Sequence, residues 1–289
     1  MARNESEKNC PMQRPLGIFD SGLGGLTVVR AVRRRLPAER IVYFGDTARV
    51  PYGIKSARTV TRFAAEACRL LARHDPKCIV AACNTASATA LPALAEAFDF
   101  PVLGVIEPGV EEALATCPEG PIGVIATEAT AASGAYRRAI RRRAPGVRVL
   151  ERACPLLVPI VEEGRSPDDS IVRAVLAEYL APLAEAGVGT VVLGCTHYPL
   201  LKEAIGAVLG PDVPLVDSAE AVAEQVADRL RADGRLATGD AGGWRFFVSD
   251  NPDRFREVGG RFLGAPAEAV TLVPAETLSA TPDPVEETT

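Results

Sequence analysis

Histidine is nearly absent from this chain, with two in 289 residues, and methionine is as rare. That scarcity excludes the histidine-rich metal tracts that sequence composition can announce, and it makes each histidine worth placing. Aromatic residues make up only 5%. A stacking surface for single-stranded nucleic acid needs more than that, and so does an aromatic-rich β-sandwich core. Closely spaced cysteine pairs are missing too: Cys10, Cys68, Cys78, Cys83, Cys117, Cys154 and Cys195 form an odd set without CxxC spacing. A disulfide framework is therefore not expected, and a reducing, cytoplasmic location fits. No run reaches the length of a membrane span, and residues 1–14 lack the apolar core of a signal peptide, so no membrane partner is expected.

What is present is an apolar fraction of 47%, rich in Ala, Val and Leu, with a formal charge of -5 and a pI near 5.3. That acidic balance argues against a generic polyanion binder. Arginines cluster at Arg33 to Arg35 and Arg137 to Arg143, and they read as solvated helix faces rather than a nucleic-acid patch.

Short apolar runs alternate with longer helical patterns. Strands are predicted at 16–19, 41–44, 79–82, 102–105, 122–126, 147–150, 191–194, 213–216, 245–249 and 270–273. Helices are predicted at 26–36, 56–73, 86–98, 128–143, 169–186 and 219–232, with an amphipathic stretch at 253–263. This alternation is the signature of an α/β protein with doubly wound, mainly parallel sheets. The pattern restarts: Gly17 and Gly123 open similar strands 106 residues apart, and two strands end in Cys83-Asn84-Thr85 and Cys195-Thr196-His197, 112 residues apart. Near-equal offsets point to two similar halves. Residues 1–14 and 274–289 are expected to be a disordered leader and tail.

In open parallel sheets ligands bind beyond the carboxyl ends of the strands. Asp20, Ser21, Cys83, Asn84, Thr85, Thr127, Cys195, Thr196 and His197 all fall there. A thiol at a helix start is expected to have a lowered pKa, and two thiols in symmetric frames would give two acid/base groups around one ligand. His197 is placed to tune Cys195. Glu162 stands in an otherwise apolar run, and Asp20 either assists Cys83 or holds the backbone of a glycine turn. Gly22-Leu23-Gly24-Gly25 resembles a phosphate loop, but Thr27 takes the place of the third glycine and no Walker lysine follows. The glycines are expected to serve a tight turn into the helix. Zinc on Cys83, Cys195 and His197, and a cysteine hydrolase using Cys195 and His197, are poorer fits to the spacing.

The segments GIFDSGLGGLTV, YFGDTARVPYGIKS, AACNTASATAL, GVIEPGV, LGCTHYPLL and VDSAEAVA run in order from residue 17, and with them the sequence resembles the bacterial glutamate racemases of the aspartate/glutamate racemase superfamily. The resemblance implies two pseudo-symmetric flavodoxin-like domains with the active site in the cleft between them. The first would be 15–107 plus 217–273 and the second 108–216. It implies cofactor-independent racemisation of L-glutamate to D-glutamate, supplying peptidoglycan synthesis, by a homodimer. Cys83 and Cys195 would be the acid/base pair, supported by Asp20 and by His197 and Glu162. Ser21, Tyr52, Gly53, Asn84, Thr85, Thr127, Thr130 and Thr196 would hold substrate, with Asp20 and His197 also near it. Racemisation of aspartate or another acidic amino acid, and a binding protein that keeps the scaffold, are the alternatives.

Overall fold

The structure, a computed structural model, describes residues 11–279. Ten strands are found among the described residues: β1 (Leu16–Asp20), β2 (Ile41–Gly45), β3 (Ile79–Ala81), β4 (Val102–Gly104), β5 (Ile122–Ala126), β6 (Val149–Ala153), β7 (Thr190–Gly194), β8 (Leu215–Asp217), β9 (Trp244–Val248) and β10 (Val270–Leu272). The helices are α1 (Leu26–Arg35), α2 (Ala57–Ala72), α3 (Asn84–Thr89), α4 (Leu91–Ala97), α5 (Ile106–Thr116), α6 (Glu128–Ser133), α7 (Ala135–Arg143), α8 (Leu157–Glu163), α9 (Ser170–Glu185), α10 (Lys202–Leu209), α11 (Ser218–Ala232), α12 (Pro252–Leu263) and α13 (Ala275–Leu278). No helix among the described residues is long and apolar enough to cross a membrane.

Two sheets form, one in the order β10-β9-β2-β1-β3-β4 and the other β6-β5-β7-β8, and every strand pair is parallel. The first four strands and the next four thus take the same order, second-first-third-fourth. Gly17 pairs with Ile79 at the centre of one sheet, and Gly123 with Val191 at the centre of the other. This is the doubly wound α/β arrangement read from the alternation, made twice.

Parallel strands are covered on both faces, so their sequences are continuously apolar. The two faces separate with period two: Leu16 and Ile18 pack into one core with Tyr43 and Val80, while Phe19 joins Val42, Phe44, Ile79 and Ala81 in another beneath α2. The first of these cores continues into the second sheet through Ile125, Val191 and Leu193. Helix starts carry the expected caps: Ser56 accepts from the Thr59 amide and Asp217 from the Ala219 amide. Each satisfies a donor that helix geometry leaves open.

Several elements differ from the sequence reading. Helix α5 is not among the predicted helices, since a proline ordinarily interrupts one. Pro108 instead lies in its first turn, where a missing N–H costs nothing. Helix α10 and helix α8, within the proline-punctuated run 154–164, were not read as helices either. The helix predicted at 128–143 breaks at Gly134, which has φ +63°. The helix predicted at 86–98 restarts at Leu91 with Pro92 in its first turn. The termini are less loose than predicted: Pro11–Gln13 forms a 3-10 turn, Arg14 pairs with Asp75, and Leu278 of α13 is buried against the α2 core. Residues 1–10 and 280–289 of the predicted leader and tail, Cys10 included, lie outside the described residues.

Candidate active site between the two sheets

The carboxyl ends of β1 and β3 face those of β5 and β7 across a pocket. Ser21, Tyr52, Gly53, Cys83, Asn84, Thr85, Thr127, Glu162, Cys195, Thr196 and His197 line it, with Val50, Pro51 and Val158. Asp20 and Thr130 do not reach it; both are fully buried one layer behind. The structure therefore gathers thiols from both halves on one cavity.

Cys83 follows β3 and is the N-cap of α3. Its Sγ lies 3.7 Å from Ser21 Oγ. Burial, reinforced by the charge of Asp20, pushes the thiol up to about 12 against hydrogen bonds from the Ala86 amide and Ser21. This corrects the expectation of a lowered pKa. The helix start does donate to the sulfur, but desolvation of the thiolate is larger.

Cys195 has different company. His197 Nδ1 stands 3.8 Å from its Sγ, and Nε2 of the same ring is 3.0 Å from Glu162 Oε1. Burial disfavours a charged imidazole here, yet the thiol and the carboxylate on either side outweigh it, and His197 is raised to about 10. The hydrogen bond with His197 in turn holds the Glu162 carboxyl below its usual range. A protonated His197 can then donate to Glu162 through Nε2 and to Cys195 through Nδ1.

Asp20 makes no hydrogen bond to Cys83. Its Oδ2 accepts the Gly22 amide at 2.9 Å, and its Oδ1 is 3.4 Å from the Thr196 hydroxyl of the opposite half. Burial raises its pKa, opposed first by the charge of His197. Its link to Cys83 is through its charge. The glycines make room around it: a Cβ on Gly25 would lie 2.5 Å from Asp20 Cβ, and one on Gly24 would lie 2.1 Å from Thr196 Oγ1 and 2.6 Å from His197 Nδ1. None of Gly22, Gly24 and Gly25 has positive φ. Close approach of the two halves, rather than the turn itself, is what requires glycine at Gly24.

The polar wall joins the halves as well. Thr85, Thr127 and Thr130 form a triangle of hydroxyls with edges of 3.0, 3.0 and 2.9 Å. Gly53 packs directly on Thr127. Asn84 donates to the Tyr136 hydroxyl at 2.9 Å, which is 3.3 Å from Ser218 Oγ. The loop carrying Tyr52 is anchored by buried Asp46, which accepts from Arg49 Nε at 2.7 Å, from Ser249 Oγ at 2.8 Å and from the Tyr52 hydroxyl. Arg49 continues to Glu66.

Sequence reasoning did not find Asp46, Glu66, Tyr136 or Ser218 as supports. A signal existed for Glu66, a charged residue on the apolar face of α2. For Tyr136 none did, since its partners are 52 and 82 residues away. His74 lies outside the site, against Phe247.

Residues 25–226 match the model of the Asp/Glu/Hydantoin racemase family. The chain is 53% identical to the glutamate racemase of Geobacter metallireducens over 252 residues, covering 87% of this chain and 93% of that one. Against the glutamate racemase of Neisseria meningitidis serogroup A it is 49% identical, over 92% of this chain and 98% of the relative. The crystal structure of the Francisella tularensis glutamate racemase in complex with D-glutamate superposes with a TM-score of 0.87 at 39% identity, covering 93% of this chain and 100% of that one. A match of such extent, on a fold whose two halves meet at paired thiols, makes this chain a member of the Asp/Glu/Hydantoin racemase family.

Proposed function

We propose that this protein interconverts L- and D-glutamate without an added cofactor, with Cys83 and Cys195 as the acid/base pair. The observation that carries the proposal is the pocket itself: one thiol from each sheet, at equivalent strand ends, lines the same cavity. The glutamate racemases named above support the choice of substrate.

One cysteine, as thiolate, removes the α-proton, and the electron pair left on Cα spreads into the adjacent carboxylate. The other, as thiol, delivers its proton to the opposite face. Each turnover exchanges the states of the two sulfurs, which reset when product leaves and protons exchange with water. The raised thiol of Cys83 suits the acid, and the imidazole beside Cys195 suits the base side, for one direction of the reaction. The substrate's ammonium group, brought beside Cys83, favours that thiolate for the other direction.

Ser21, Asn84, Thr85, Thr127 and Thr196, with Tyr52 and Gly53, bind the substrate carboxylates and ammonium, while Thr130 holds Thr85 and Thr127 in place. Fixed hydroxyl and N–H dipoles in a buried pocket stabilise developing carboxylate charge without reorganising. Asp20 acts on Cys83 by charge, and His197 with Glu162 acts on Cys195. The working division of the chain is 15–107 plus 217–273 against 108–216, closing on substrate. A cytoplasmic homodimer that supplies D-glutamate to peptidoglycan synthesis completes the reading.

Purified protein given L-glutamate, L-aspartate and other acidic amino acids separately, with no additions, is expected to racemise glutamate best. A preference for aspartate would transfer the mechanism to another substrate, and inertness toward all of them would leave the scaffold-only binding protein standing.

A further inference from the structure

The second half's proton-transfer chain does not end at Glu162. Helix α12, which follows the segment matched by the family model, reaches it at three points. Arg254 Nη2 lies 4.0 Å from Glu162 Oε2. The Phe262 ring meets the His197 ring edge-on, with centroids 5.3 Å apart and planes at 82°. The guanidinium of Arg261 lies directly against Gly164, one residue past the end of α8.

We infer that Arg254 is a positioning residue for the Glu162–His197–Cys195 chain, fixing the Glu162 carboxylate so that one oxygen stays on the imidazole. The geometry divides the carboxylate cleanly, with Oε1 on His197 and Oε2 toward Arg254. Glu162 needs such a hold, because its side chain is 24% exposed while that of His197 is 6% exposed. Without a second partner the carboxylate can turn toward water.

The place of the cation is informative in itself. Arg254 stands in the first turn of α12, where its backbone amide donates to the Asn251 cap at 3.1 Å. The helix dipole disfavours a positive charge there, so a nearby carboxylate is what makes the position favourable. The charged and titratable groups facing this chain are Cys195, Glu162 and Asp20 toward His197, and His197 and Arg254 toward Glu162.

The inference rests on the reading of Cys195 as one of the two acid/base groups, and its test separates the two. In an enzyme that racemises glutamate, Arg254→Gln is expected to lower kcat/KM about fivefold, the upper range for a partly exposed ion pair, with Arg254→Lys restoring most of it. In a Glu162→Gln background the same substitution should cost less than about twofold, because its target is gone. Independently of activity, the Nε2 proton of His197 should exchange with water faster in Arg254→Gln, read by proton NMR. Only two histidines need assignment. An undiminished fivefold loss in the Glu162→Gln background, a wild-type rate in Arg254→Gln, or unchanged His197 exchange would each overturn the inference. Absence of racemisation in the wild type would instead overturn the functional reading, leaving the exchange measurement to decide this one.

Discussion

Glu162→Gln removes one negative charge and leaves the shape of the side chain almost intact. In the native site the carboxylate lies 3.0 Å from His197 Nε2, and the imidazole is raised to about 10. A hydrogen bond to a charged group contributes about 1.5–3 kcal/mol, which at 1.36 kcal/mol per unit lowers the His197 pKa by about one to two units. The basic limb of kcat/KM, set by loss of the imidazolium beside Cys195, should move down by that amount. At a pH near 9.5 the variant should be slower by about tenfold, while near pH 6 the deficit should be small. Circular dichroism of glutamate, followed from each enantiomer between pH 6 and 10.5, measures it directly.

The stability consequence has a definite sign. A folded-state pKa above the ordinary 6.5 means that His197 contributes stability fully present below pH 6.5 and lost as pH rises through about 10. Denaturant unfolding should therefore show the wild type exceeding Glu162→Gln by a constant margin between about pH 4.5 and 6.5, shrinking above that window as His197 deprotonates and below it as Glu162 is protonated. Coincident basic limbs in the two enzymes would refute the reasoning, because the carboxylate would then not be holding the imidazole charged.

Cys83→Ser and Cys195→Ser should each lower kcat/KM by about 10³-fold, within the range for a lost general acid or base, with circular dichroism confirming the fold. A variant within tenfold of wild type would remove that cysteine from the mechanism. Thr127→Val keeps the packing on Gly53 but removes one corner of the hydroxyl triangle, and should raise KM roughly tenfold with a stability loss of about 1 kcal/mol. An unchanged KM would place the substrate carboxylates elsewhere. Leu278→Ala should cost about 2–3 kcal/mol in urea unfolding, since Leu278 is buried against the α2 core. No loss would restore the loose tail expected from composition.

Much of the fold was legible because buried parallel strands advertise themselves: Ile79–Ala81 and Thr190–Gly194 read as strands from apolar content alone. The candidate site was legible for a related reason. Strand ends project whatever follows them into the cleft, so Cys83 and Cys195 with their polar neighbours could be picked out before any contact was known. The physics at those positions was harder to read. A helix start was expected to lower the Cys83 pKa, but the depth of burial, which no local pattern encodes, decides the sign. Asp20 was expected to assist Cys83 or to hold the glycine turn; its hydrogen bonds run to Gly22 and across to Thr196, while its charge bears on Cys83. Helix α5 was hidden because a proline ordinarily interrupts a helix, and the closeness of Ser218 that leaves room only for glycine at 109 is a tertiary fact. Arg254 carried no signal at all, because its meaning comes from a carboxylate 92 residues earlier.

The central claim is that two thiols act from two sides of one substrate, and the fate of the α-hydrogen in deuterated buffer tests it most directly. L-Glutamate and D-glutamate are each incubated with the enzyme in D2O, and both enantiomers are recovered at low conversion for mass and proton analysis. The account predicts that the product carries solvent deuterium at Cα while recovered substrate still carries protium, in both directions. Protium carried over into product, or deuterium entering recovered substrate as fast as product, would mean a single base working on both faces and would contradict it.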